Sequence, residues 1–168
     1  MLKIKLYVKN IMNSSAIATI KLPDEYQSSS LSNECAIAMQ DLTVSCDFSL
    51  VGNDLPPYNI DMKIQDNKLV LDICNTDIKK RHSFILSMSP YRRIIRDYFM
   101  MVDSYQQMRD SVTPEKLQTV DMARRGIHNE GADILMARLQ DKITMDHDTA
   151  RRFFTLLCCL GARRGDGI

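Results

Sequence analysis

The sequence predicts an α+β fold: a small antiparallel β-sheet in the N-terminal half packed against a C-terminal group of three helices. Three observations carry this. Short alternating apolar runs bounded by turn residues are confined to residues 16–88. Two helix-start signatures, Ser89-Pro90 and Thr113-Pro114, open the remainder, and apolar residues recur at helical spacing beyond each. With 168 residues the chain is about one domain in size, read as a single domain 1–168 with its core over about 16–162.

Ala16 to Leu22 alternates as a strand and is stopped by Pro23-Asp24-Glu25. Ser28-Ser29-Ser30 offers caps for a helix from about Leu31 to Leu42. Gly52-Asn53-Asp54 and Pro56-Pro57 form a loop. Tyr58 to Ile64 and Leu69 to Ile73 alternate around Gln65-Asp66-Asn67-Lys68, a hairpin signal, and His82 to Met88 adds a third strand to an antiparallel meander. In Ser89-Pro90 a capping hydroxyl precedes a proline at the first helical position, where its missing N–H costs nothing. Tyr91, Ile94, Ile95, Tyr98, Val102 and Tyr105 then share one face. Thr113-Pro114 starts a helix running to about Leu139. Asp146 or Asp148 opens a last helix striped by Ala150, Phe153, Phe154, Leu157 and Gly161, which Gly161 and Arg163-Arg164-Gly165 end. The chain shows no internal repeats, low-complexity tracts or linker-like stretches.

Apolar residues at 45% and charged residues at 26% give the balance of an ordinary globular protein. No apolar stretch approaches the roughly 20 residues that span a bilayer, so no membrane partner is expected. Lys3, Lys5 and Lys9 interleave with Ile4, Leu6 and Tyr7, unlike a signal peptide, and a cytoplasmic address is expected. The five cysteines make an odd count without a Cys-x-x-Cys pair and read as reduced, small apolar groups. The net charge of +1 conceals an asymmetry. Residues 1–78 hold 6 basic and 10 acidic residues, residues 79–168 hold 16 and 11, and twelve of those sixteen are arginine. Arginine suits bidentate phosphate or carboxylate contacts, so the helical half points to an anionic partner.

Turning each residue by 100° sorts the arginines by face. Arg92, Arg93 and Arg96 lie opposite the apolar stripe of their helix, and Arg151 and Arg152 likewise point away from theirs. The helix from Pro114 differs. Arg124 falls inside the arc of Leu117, Val120, Ile127, Gly131, Ile134 and Leu135, with Asp121 and His128 on its margin. An unpaired buried guanidinium is prohibitively costly, so Arg124 must find an acid (Asp121, Glu34, Asp97 or Asp148) or open onto a cleft. Arg125 pairs i,i+4 with Asp121, while Asn129 and Glu130 project elsewhere. The bland account of these residues is a buried ion pair between helices.

No phosphate-binding loop, dinucleotide fingerprint, nucleophile elbow or His-Glu-x-x-His zinc helix is present. Asp146-His147-Asp148 reads as helix capping rather than a metal site, since neighbours on a chain diverge. No metal ligands are predicted and no cofactor is assigned.

Three segments carry a resemblance: Leu86-Ser-Met-Ser-Pro-Tyr-Arg-Arg-Ile-Ile-Arg-Asp-Tyr98, Asp121-Met-Ala-Arg-Arg-Gly-Ile-His-Asn-Glu-Gly131 and Asp148-Thr-Ala-Arg-Arg-Phe-Phe-Thr-Leu. They resemble uncharacterised protein family 0262, bacterial cytosolic proteins of about this length without an assigned activity. The resemblance is strongest over about residues 82–160, and residues before about Ala16 fall outside the family core. Near the first helix the family pattern has His-Glu-Arg and then Ala-x-x-Asp-Leu. Here those positions read Asn33-Glu34-Cys35 and Met39-Gln40-Asp41-Leu42, so only the Glu and the Asp-Leu are kept.

The reading that follows is a non-enzymatic binding or regulatory module whose arginine-rich half engages an anionic partner, RNA or a phosphorylated ligand. The candidate binding residues are Arg92, Arg93, Arg96, Arg124, Arg125 and Asn129. The alternative is a small enzyme acting on a phosphate- or carboxylate-bearing metabolite, with Arg124 and Arg125 as anion clamp and His128 with Glu130 as acid–base pair. An acidic protein docking on the basic face is a third.

Overall fold

A computed structural model describes residues 15–26, 32–52, 55–111 and 113–162. The Ser28-Ser29-Ser30 caps and the Arg163-Arg164-Gly165 stop lie outside these residues. The fold is α+β. Strands β1 (Ile17–Lys21), β3 (Tyr58–Gln65), β4 (Lys68–Asn75) and β5 (Arg81–Ser87) form a four-stranded sheet in the order β1-β3-β4-β5. Strands β2 (Phe48–Leu50) and β6 (Ile143–Met145) form a separate antiparallel pair. The helices are α1 (Ser32–Val44), α2 (Arg92–Met108), α3 (Pro114–Leu139) and α4 (His147–Gly161).

The β3–β4–β5 meander is the one read from the sequence. Asp66 and Asn67 take φ values of 50° and 58°, the paired left-handed positions of a two-residue type I′ turn, which these short polar side chains tolerate. On β3, Tyr58, Ile60 and Met62 face inward; on β4, Leu69, Leu71 and Ile73 do. The period of two thus buries one face of the hairpin.

Two features correct the predicted architecture. The sheet is mixed, because β1 pairs parallel to β3, with Ile17 opposite Tyr58 and Ile20 opposite Ile60. Alternation fixes which face of a strand is buried but not its direction; here the chain crosses over through α1 before returning as β3. The described residues also hold four helices rather than a group of three beside a sheet, since α1 joins the other helices by packing along α4. The β2/β6 pair, three residues per strand, carries too little alternation to be read from sequence.

Helix α4 is the centre of the molecule. Phe153, Leu157 and their neighbours meet the sheet through Ile60, Leu71 and Ile73, and Leu135 and Leu139 of α3 close the same core. Asp146 caps α4, its Oδ1 accepting from the Thr149 backbone N–H at 2.8 Å; the Thr149 hydroxyl first, and then this N–H, hold its carboxyl below the usual range. The Thr149 hydroxyl accepts from Asp47 N–H at 3.2 Å, tying the start of α4 to the β2 segment. Helix α4 runs antiparallel to α1 and to α3: Cys35 meets Cys159 and Asp41 meets Arg152 on one side, while Asp133 meets His147 and His128 meets Phe154 on the other. Cys35 and Cys159 form a disulfide with Cα atoms 6.4 Å apart, where the sequence reading took every cysteine as a reduced thiol. The two lie 124 residues apart, and only the packing of α1 on α4 brings them together.

No helix among the described residues is long and apolar enough to cross a membrane.

Candidate functional site

Only one stripe of α4 is polar. Asp148, Arg151, Arg152 and Thr155 follow one another at i, i+3, i+4 and i+7, which puts them on one face of a helix otherwise buried on nearly every side. Above this stripe lies a cleft of about 420 Å³, within the roughly 300–1,000 Å³ of small-molecule sites. Helix α4 is its floor. One wall is α3, contributing Asp121, Arg124, Arg125 and His128; the other is α1, contributing Glu34, Ile37, Ala38 and Asp41.

The two arginine-bearing helices at the cleft supply their residues through octets with a shared start: Asp121-Met-Ala-Arg-Arg-Gly-Ile-His128 and, 27 residues later, Asp148-Thr-Ala-Arg-Arg-Phe-Phe-Thr155 both begin Asp-x-Ala-Arg-Arg. Each octet presents acid, arginine pair and hydrogen-bonding group along one face, and the two faces meet at the cleft. Lining up the two Asp-x-Ala-Arg-Arg strings in the sequence would have pointed to both helix faces.

The charges are interlocked. Arg124 pairs with Glu34 at 3.5 Å and Arg152 with Asp41 at 3.6 Å, both across helices. Within helices, Arg125 pairs with Asp121 at 3.0 Å and Arg151 with Asp148 at 3.7 Å. Glu34 also accepts a hydrogen bond from the hydroxyl of fully buried Tyr98, so α1 is pinned to α2 at this end of the cleft. Burial, and then that bond, pushes the Tyr98 hydroxyl well above its usual pKa. The Nε–H of Arg151 is buried without a hydrogen-bond partner among the described residues.

His128 sits at the inner edge of the cleft, only 7% exposed. Its ring stands edge-to-face between Tyr98 and Phe154, at centroid distances of 5.4 and 5.8 Å. Nδ1 lies 2.9 Å from the Arg124 carbonyl, one helical turn back. In the neutral ring this requires Nδ1 to carry the proton and leaves Nε2 as an acceptor. Burial lowers the His128 pKa, with the Arg124 and Arg151 guanidiniums adding to it, against the carbonyl bond and Glu34. In the window between the depressed folded pKa and the ordinary value of about 6.5, the unfolded chain binds the extra proton, so stability rises with pH there. Urea midpoints measured from about pH 5 to about pH 7 should therefore climb, and the climb should flatten in His128→Gln. An equal slope in the variant would place its origin elsewhere.

The remaining candidates lie outside the cleft. Arg92 and Arg96 are exposed on α2. Arg93 pairs with Asp97 at 3.0 Å and with Glu130. Glu130 is thus committed to the α2–α3 contact and is not assembled with His128; two residues apart on a helix, their side chains diverge by about 200°. Asn129 is exposed on α3 and does not line the cleft. Arg124, expected in the apolar arc, has both outcomes foreseen for it: an acid, Glu34, and an opening onto a cleft, with its side chain 48% exposed. Arg151 and Arg152, read as water-facing, are each 36% exposed over the floor. Among the described residues no group of three His, Cys, Asp or Glu stands close enough to hold a metal ion.

A family model described as an uncharacterised protein family, UPF0262, matches residues 14–163. The chain belongs to this family. Relatives under the UPF0262 name include a Hyphomonas neptunium protein, 44% identical over 79% of this chain and 82% of its own length. One from Agrobacterium fabrum is 46% identical over 76% and 82%, and one from Ruegeria pomeroyi is 40% identical over 89% and 98%. No solved structure matches this UPF0262 chain.

Proposed function

We propose that this UPF0262 protein is a binding module that holds a small anionic ligand in the cleft over α4. The observation that carries this reading is the convergence of two arginine pairs, each from an Asp-x-Ala-Arg-Arg string, on one concave site. A guanidinium fork suits carboxylate or phosphate oxygens. The dimensions favour a small molecule over RNA. A polynucleotide would set its phosphates against Glu34, Asp41, Asp121 and Asp148, which share the cleft, and the α2 arginines lie apart from it.

Succinate and inorganic phosphate should perturb the arginine Nε–H signals of the cleft in nuclear magnetic resonance titrations. The double variant Arg124→Ala/Arg152→Ala should weaken that binding by about tenfold or more, the equivalent of about 1.4 kcal/mol. The outer-face triple variant Arg92→Ala/Arg93→Ala/Arg96→Ala should leave it unchanged. If the triple variant alone loses anion binding, or if only a single-stranded RNA binds, the cleft is the wrong site.

One observation favours a second reading, an enzyme acting on the same ligand class. The Nε2 lone pair of His128, beside Arg124 and Arg151, is an available base. Proton abstraction next to a bound carboxylate would exchange that proton with solvent deuterium, and His128→Gln would stop the exchange. Glu130 has no part in this reading.

A further inference from the structure

We infer that the cleft selects a zwitterion, a small molecule carrying an ammonium group as well as a carboxylate, and this rests on the reading of the cleft as an anion site. The walls differ in chemistry. Helix α1 presents Glu34 and Asp41, two turns apart on one face and about 10 Å along the axis, with apolar Ile37 and Ala38 between them. The opposite wall and the floor present Arg124, Arg125, Arg151 and Arg152. The cleft as a whole holds four guanidiniums and four carboxylates around a neutral imidazole.

That balance decides what enters. A plain anion reaching Arg124 or Arg152 must compete with Glu34 or Asp41 for the guanidinium, and the displaced carboxylate is left without its cation. Exposed Asp41, Asp121 and Asp148, 50%, 52% and 71% open, recover their loss from water. Glu34 is 34% open and is held in place by the Tyr98 hydroxyl, so it cannot swing away. A ligand that brings its own ammonium replaces the lost partner on the α1 side while its carboxylate takes the guanidiniums, and every charge stays paired. Ile37 and Ala38 give a short methylene stem an apolar rail between the two charges.

The test is a calorimetric and resonance titration of the full chain with glycine, β-alanine, γ-aminobutyrate and δ-aminovalerate. Each is run against the carboxylate and the amine of the same carbon count at constant ionic strength. At least one amino acid should bind about tenfold more tightly than both of its matched single-charge analogues. Glu34→Gln, which keeps an acceptor for Tyr98, should erase the preference, so that each amino acid binds no more tightly than its matched carboxylate. Equal affinity for carboxylates and amino acids would overturn the inference and leave the anion site standing. An absence of binding by both classes would overturn the two together.

Discussion

Gly131→Ala will lower the urea midpoint by the equivalent of about 3 kcal/mol, the upper end of what overpacking a core costs. A Cβ at Gly131 would fall on the Phe154 ring, far inside contact distance of Cγ, Cδ2 and Cε2. The ring has nowhere to go. It is fully buried, and His128 stands against it edge-to-face. Helix α3 passes α4 this closely because Gly131 has no side chain, and the cleft's depth follows from the approach. Gly126, five residues earlier on the same helix, provides the control: a Cβ there meets nothing within 4 Å. Gly126→Ala should stabilise the protein by about 0.5–1 kcal/mol through helix propensity. If the two alanines behave alike, Phe154 yields and the close approach is not a constraint.

The second large effect belongs to Glu34. Glu34→Ala takes the acceptor from the Tyr98 hydroxyl, which is fully buried, and an unsatisfied buried hydroxyl costs about 1–3 kcal/mol. Loss of the half-exposed Arg124 pair adds little, since such pairs contribute about 0–1 kcal/mol. Glu34→Gln should recover most of the stability, because its amide oxygen still accepts. A double-mutant cycle of Glu34→Ala with Tyr98→Phe should show a coupling of about 1 kcal/mol or more. Independent, additive losses would mean that the hydroxyl finds another acceptor.

Much of the helical half was legible because its signals are local. Pro114 is the first residue of its helix, while Pro90 lies in a 3-10 turn, Ser89–Tyr91, that leads into α2; of the stripe read there Tyr91, Ile94, Ile95 and Tyr98 are buried, Val102 is half-buried and Tyr105 is exposed. The β3–β4 hairpin was legible for the same reason, through Asp66-Asn67. What depends on partners distant in sequence was not. The direction of β1, the pairing of β2 with β6 and the meeting of Cys35 with Cys159 are set by which elements pack together, and no local period encodes that. The candidate site divides similarly. Helical rotation singled out Arg124 and His128, because charged groups near an apolar arc stand out. Arg151 and Arg152 do point away from their apolar stripe, but their helix is covered on almost every side and its one polar stripe faces a cleft, which the rotation of a single helix does not reveal. Glu34 was among the acids named for Arg124, whereas Asp41 was hidden because α1 has no strong amphipathic face to locate its lining.

Helix α3 changes character along its length. From Pro114 to Gly126 none of its residues is buried, whereas His128, Gly131, Ala132, Leu135 and Leu139 are. Local opening is cheapest where few apolar contacts oppose it, so the first half of α3 lies low in the hierarchy of unfolding energies and the second half high. Asp121, Arg124 and Arg125 stand on the compliant stretch, and the α4 floor stands on the most protected helix of the molecule. On the proposed reading, a guest held between the two touches both, and part of its contact energy goes into ordering the stretch that opens more cheaply.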